Sequence, residues 1–149
     1  MAMEHTYLMT LIEMNRYAKA TTLFDTYDID EITEELIGHA FDHETDMLYQ
    51  FVCYLIEDKE TVKLHSLAFG LLIHPFCHYD RAYYRAYDHV QRAIILTQRQ
   101  DVGFLEYLLF LYDVPGRVTP KKEALTAANE ILRMEPKNRV AKDFLKRRK

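Results

Sequence analysis

The chain has 149 residues, of which 49% are hydrophobic and 28% are charged, and this near-average composition excludes a disordered or fibrous protein. Gly and Pro occur four times each, which is too few for a sheet fold built on tight turns and favours long helices with short connections. The net charge of −4 hides an asymmetry, because residues 1–60 carry 14 Asp and Glu against 3 Lys and Arg, whereas residues 61–149 carry 9 against 16.

Cysteine usage and hydropathy indicate the cellular compartment. Cys53 and Cys77 are too few for a disulfide framework, and charged residues interrupt the amino-terminal segment where a signal peptide would need an apolar run. No stretch reaches the ~18 apolar residues of a membrane span. We therefore expect a cytoplasmic protein without membrane association, forming a single domain over residues 1–149.

The first half of the chain has the apolar spacing of amphipathic helices. Asp28 or Asp30 can cap the second of these helices, and Pro75 ends the fourth because it disfavours helical geometry in the residue before it. The spacing predicts four helices, over residues 3–24, 30–40, 44–56 and 60–73.

The second half continues the pattern, with polar residues placed as helix N-caps at Asp80, Asp101 and Asn138. Thr119 followed by Pro120 predicts another cap with proline in the first helical position. The helix after Asp101 is apolar nearly all round, which indicates a buried position. Four more helices are predicted, over residues 82–97, 102–112, 120–135 and 139–145. The fold class is therefore all-α, with about eight helices in antiparallel hairpins.

A repeat is visible in the carboxy-terminal third. Shifting residues 94–108 by 37 positions onto residues 131–145 pairs Ile94 with Ile131 and Asp101 with Asn138. Residues 128–145, with Met-Glu-Pro-Lys-Asn at the turn, resemble the junction between consecutive tetratricopeptide repeats, whose period is about 34 residues. This resemblance, which extends more weakly over residues 83–111, implies TPR-like hairpins in residues 80–149, an α-solenoid stack and a protein or peptide ligand instead of enzyme activity.

A second resemblance concerns residues 64–138, which contain His-Pro-Phe-Cys-His, Arg-Ala-Ile and Tyr-Asp-Val-Pro. This run is similar to small bacterial proteins encoded beside polymorphic toxins and regarded as their immunity partners. The resemblance implies a protein partner, which in its most concrete form is a basic nuclease toxin that the chain binds and occludes.

The charge distribution agrees with a cationic partner. Between Ala20 and Lys59 there are eleven Asp and Glu and no basic side chain, a block that attracts cations and disfavours nucleic acid. An acidic surface that is merely solvated explains the same residues. Arginines interleave with Tyr83 and Tyr87, a mixture that occurs in protein interfaces and also in grooves for single-stranded nucleic acid. The candidate partner-binding residues are Asp28, Asp30, Glu31, Glu34, Glu35, Asp42, Glu44, Asp46, Tyr83 and Tyr87.

Two histidine clusters offer a different function. His74, Cys77 and His78, followed by Asp80, have side chains that a metal- or thiol-dependent enzyme could use. A structural kink that buries Phe76 and Cys77 explains the same segment. His39 and His43 stand four residues apart and allow a metal pair, although capping and surface roles fit them better. No phosphate-binding loop or nucleophile elbow is present, so we predict a non-catalytic protein with no cofactor and no metal, with the enzyme as the alternative.

Overall fold

Nine α-helices, and no strand, form within the residues that the structure describes, which are 2–42, 46–78 and 81–147, with side chains from residue 6 onward. The structure is a computed structural model. It confirms the all-α prediction. The helices are α1 (Ala2–Glu13), α2 (Tyr17–Phe24), α3 (Ile29–Phe41), α4 (Met47–Asp58), α5 (Val62–Ile73), α6 (Ala82–Leu96), α7 (Val102–Asp113), α8 (Lys121–Met134) and α9 (Arg139–Lys146).

The prediction of a single helix over residues 3–24 is wrong, because the helix is interrupted between α1 and α2. Asn15 has φ 56°, in the left-handed region that ends a helix. The Arg16 amide donates to the Leu11 carbonyl at 2.8 Å and the Asn15 amide donates to the Ile12 carbonyl at 3.0 Å, which together form a Schellman motif. The apolar period continues across this break, so periodicity alone predicts one helix where there are two.

Side-chain caps begin several helices as predicted. Asp28 accepts hydrogen bonds at the start of α3, Asp101 at the start of α7 and Asn138 at the start of α9. The prediction that Thr119 caps α8 is wrong: Pro120 occupies the N-cap position, and Thr119 is fully buried with its amide donating to the Leu111 carbonyl at 3.4 Å. The proposed cap Asp80 lies outside the described residues.

The chain divides into two compact units, an amino-terminal unit (Met1–Ala82) and a carboxy-terminal unit (Tyr83–Lys149). In the amino-terminal unit α1 packs on α2 and α4, while α5 packs on α3 and α4. Phe51 is fully buried among the rings of Tyr17 and Phe24, at centroid distances of 5.4 and 6.1 Å. The expectation of one domain over residues 1–149 stays a prediction.

The carboxy-terminal unit is built around α7, which packs on α8 and α9. Leu105, Leu108 and Leu111 of α7 are fully buried, as the apolar sequence of this helix predicts. Phe110 on the same helix remains 41% exposed, so one edge of α7 reaches the surface.

The charge asymmetry of the sequence follows the division into units. The amino-terminal unit contains 15 Asp and Glu against 5 Lys and Arg, a formal charge of −10, and the carboxy-terminal unit contains 8 against 14, a charge of +6. Across residues 2–42, 46–78 and 81–147, no helix has the length and apolar character that crossing a membrane requires.

Candidate functional site

Four of the eight predicted acidic residues lie on the outer side of α3 or at its end. Ile32, Leu36 and Ala40 are buried, and this row faces the core of the amino-terminal unit. The positions between them are exposed or half-buried, as expected for an amphipathic helix with a period of 3.6 residues. We call four of the exposed carboxylates the acidic stripe: Glu31, Glu34, Glu35 and Asp42.

Two other predicted residues have roles inside the molecule. The Asp28 carboxylate accepts hydrogen bonds from the backbone amides of Asp30 and Glu31, at 2.9 and 3.3 Å, and so caps α3. The Asp30 carboxylate pairs with the Lys63 ammonium at 2.8 Å, and this hydrogen bond raises the pKa of Lys63. Both carboxylates remain exposed, but their charge is partly committed to these internal contacts.

The last acidic candidates lie between the end of α3, where Asp42 of the acidic stripe is found, and the start of α4. Asp42 is the C-cap of α3. Asp46 is half-buried, and its carboxylate accepts a hydrogen bond from the side-chain amide of Gln50 at 2.8 Å. Glu44 lies outside the described residues, as does His43 of the predicted His39 pair.

The two candidate tyrosines belong to α6 in the carboxy-terminal unit. The Tyr87 hydroxyl donates to Glu123 of α8 at 2.5 Å, and Gln91 donates to the other oxygen of the same carboxylate. Burial and this hydrogen bond raise the pKa of Tyr87 to about 12. Tyr83 presents its ring to the Phe110 ring at 6.4 Å in an edge-on arrangement. The polar end of Tyr87 is therefore used to join α6 to α8.

The His74, Cys77 and His78 side chains are all exposed and lie in the turn after α5, whereas Asp80 is outside the described residues. Phe76 is buried and its amide donates to the Leu71 carbonyl at 2.9 Å, which fits the structural kink. The expectation that Cys77 is buried in this kink is wrong, because its side chain points to solvent.

Histidines of the amino-terminal unit have other neighbours. The His74 ring lies 6.5 Å from the Phe41 ring, and the buried His65 contacts Glu60 at 2.7 Å through Nε2. In the described part of the chain, no three His, Cys, Asp or Glu side chains are grouped so that they could hold a metal ion.

Sequence reasoning missed a cleft in the amino-terminal unit. It has a volume of about 400 Å³ and lies where α2 and α4 end and α3 and α5 begin. Two stretches of the chain that are distant in sequence, residues 21–29 and 55–64, contribute to it, so no local motif marks it in the sequence.

Comparison with known proteins adds no relative, since no protein-family model, curated protein or solved structure matches this chain.

Proposed function

We propose that the chain is a non-catalytic protein-binding module, and in its most concrete form an immunity protein that binds and occludes a basic nuclease toxin. The observation that carries the proposal is the acidic stripe, which places exposed carboxylates along one side of α3. Within that helix Glu31, Glu34 and Glu35 are within one turn of each other, so their fields add.

The charge of the surrounding unit supports a cationic partner. A formal charge of −10 over Met1–Ala82 creates a field that attracts a positively charged protein before contact. An inhibitor with such a surface would cover the active site of a nuclease, because that active site must itself attract a polyanionic substrate. Inhibition then follows from occlusion and requires no chemistry by the chain.

The stripe also has an apolar neighbour. Phe41 is 60% exposed at the end of α3, next to Asp42. Aromatic residues are enriched in protein interfaces relative to the rest of the surface, and a ring among carboxylates offers apolar contact area within an acidic patch.

Contacts between helices support hairpin stacking within each unit. In the amino-terminal unit the starts of α3 and α5 are joined by Asp30 and Lys63, 33 residues apart. In the carboxy-terminal unit α7 and α9 are joined by Glu106 with Asn138 and by Asp113 with Arg147, 32 and 34 residues apart. Contacts at a separation near 34 residues are what a TPR-like stack requires, because each helix meets its counterpart in the next hairpin.

The test is to produce the chain together with the protein encoded beside it in its genome. We expect a one-to-one complex by size-exclusion chromatography and loss of the partner's nuclease activity on RNA or DNA. The triple variant E31K/E34K/E35K should weaken both effects, whereas D88K/D143K, which reverses two exposed carboxylates of the carboxy-terminal unit, should weaken neither. A complex that keeps full nuclease activity would reject the immunity function, and unchanged binding by the triple variant would reject the acidic stripe as the surface used.

A further inference from the structure

The cleft in the amino-terminal unit combines an apolar floor with an open mouth. Phe24, Leu55 and Leu64 are each buried against the core and line its floor. Ile29 and Val62, the first residues of α3 and α5, are half-buried and form its sides. At about 400 Å³ the cavity falls within the range of clefts that enclose a ligand group.

Charged side chains surround this apolar floor. Asp25, at the end of α2, and Asp58, at the end of α4, line the cleft and are exposed. Among the described residues, neither carboxylate takes part in a salt bridge. Of the two lysines that line the cleft, Lys63 is paired with Asp30, which leaves Lys59 as the opposing cation. Negative charge is therefore in excess at the mouth, within a unit whose formal charge is −10.

We propose that the cleft holds one large apolar side chain of a protein partner, supplied by a segment in which Lys or Arg residues flank that side chain. The inference rests on the proposed function, because the segment belongs to the cationic protein that the acidic unit attracts. A side chain that enters a desolvated pocket supplies most of the affinity of an interface, and charges at its edge set orientation and rate of association. The apolar floor would contact the apolar side chain, and the carboxylates of Asp25 and Asp58 would attract the basic residues on either side of it.

Short peptides with blocked ends provide the probe, titrated into the full chain and followed by NMR. Lys-Lys-Phe-Lys-Lys and Lys-Lys-Ser-Lys-Lys have equal charge and differ in the apolar side chain, and Ser-Ser-Phe-Ser-Ser keeps that side chain without the charge. We expect the first peptide to bind about tenfold to 100-fold more tightly than the second, which is the effect of burying one such side chain. The chemical-shift changes that the first peptide causes in the protein should be centred on Val62 and Ile29.

Variants of the cleft separate its two features. V62F fills the cavity and should bring the two lysine peptides to equal affinity, and I29F does the same from the other side if V62F does not fold. D25N/D58N should weaken both lysine peptides and reduce the effect of salt on them. It should leave the binding of the neutral Phe peptide unchanged.

The outcomes distinguish this inference from the proposed function. If the two lysine peptides bind equally to the wild-type chain, the proposal that the cleft holds an apolar side chain is rejected. The acidic stripe remains a binding surface in that case. A neutral Phe peptide that binds as tightly as the charged one overturns the charge requirement, since the cleft would then accept apolar groups of any kind. If no lysine peptide binds even at low salt, both the cleft and the acidic binding surface fail.

Discussion

At the scale of single residues, the ion pair between Arg99 and Glu130 is a two-point polar contact within the carboxy-terminal unit. The guanidinium meets both carboxylate oxygens, at 2.9 and 2.6 Å, and the Glu130 side chain is only 13% exposed. The hydrogen bond from Arg99 lowers the pKa of Glu130 below its ordinary value of 4.5. A two-point contact of this kind connects the turn after α6 to α8 more firmly than a single surface ion pair would.

E130Q should therefore reduce the free energy of unfolding by about 1 kcal/mol near neutral pH, an estimate that allows for screening of the half-exposed Arg99. Because the pKa of Glu130 is lower in the folded state, its charge contributes stability above the unfolded pKa and loses that contribution as pH falls through the folded pKa. Urea denaturation at about pH 7 and about pH 3 tests this, and the two proteins should converge at the lower pH. D88N, which removes an exposed charge on α6, is the control. A difference that persists undiminished in acid would refute the role given to the Glu130 charge.

Thr119 can be tested directly, because its hydroxyl is either a buried group without a partner or the cap of α8. Its hydroxyl is buried and has no hydrogen-bond partner in the described part of the chain. T119V replaces that hydroxyl with a methyl group of similar size, so stability should stay the same or rise by about 1 kcal/mol. A loss of about 1 kcal/mol would instead show that Thr119 caps α8 after all.

D101A, which removes a cap whose bond to the Gly103 amide is 2.9 Å long, should cost about 1 kcal/mol in the same thermal or urea measurement.

At the scale of helices, Gly70 records how closely α5 approaches α3. A Cβ atom at Gly70 would lie 2.7 Å from Cδ1 of Ile37, whereas a Cβ atom at Gly38 would meet nothing within 4 Å. Ile37 and Gly70 are 33 positions apart, as are Asp30 and Lys63, so α3 and α5 run in the same direction with a constant register.

G38A should stabilise the protein by about 1 kcal/mol, because alanine has the higher helix propensity and space is available. G70A should give no such gain, since the new methyl group displaces Ile37. Combining G70A with I37V, which removes the Cδ1 atom, should recover about 1 kcal/mol relative to the sum of the two single changes. Thermal unfolding of the four variants measures this coupling. If G70A stabilises as much as G38A does, the Ile37 side chain moves aside at little cost and its contact with Gly70 does not restrain α3 and α5.

Local signals explain which parts of the fold were predictable. Asp28, Asp101 and Asn138 cap the helices that follow them because the bonds they make reach only two or three residues ahead. The break at Asn15 escaped detection because the apolar period runs through it and the left-handed residue is not a glycine. The caps were predictable because they depend on a few adjacent residues, whereas the helix break at Asn15 has no such local sign in the sequence.

Long-range contacts explain what the sequence could not indicate about the site. The exposure of the acidic stripe followed from helical periodicity, but the pairing of Asp30 with Lys63 depends on residues 33 positions apart. Likewise, Tyr87 was predicted as a partner-binding residue, and nothing near it in the sequence indicates that its hydroxyl meets Glu123, 36 positions away. The cleft needs residues 21–29 and residues 55–64 together, so only the folded chain reveals it.

At the scale of the whole molecule, the two compact units carry opposite formal charges. The unit with charge −10 ends at Ala82 and the unit with charge +6 begins at Tyr83. A field produced by so many like charges acts beyond contact distance, but salt reduces it over about 8–10 Å at ordinary ionic strength. If this field guides a partner, its effect has to appear in the rate of association.

The last prediction concerns that rate. Reversing Glu31, Glu34 and Glu35 to Lys changes the charge of α3 by six units at exposed positions and buries nothing new. With the protein encoded beside this chain as the partner, the association rate constant should fall by about tenfold or more, and the dissociation rate constant should change much less, because exposed charges steer an encounter more than they hold a complex together.

Added salt should slow association of the wild-type chain in the same sense and should affect the triple variant weakly. Surface plasmon resonance at two salt concentrations measures both rate constants. The neutral variant E31Q/E34Q/E35Q should fall between the wild type and the reversal, since it removes half of the charge difference. If association is insensitive both to the reversal and to salt, the acidic stripe is only a solvated surface, and inhibition of a basic nuclease loses its physical basis.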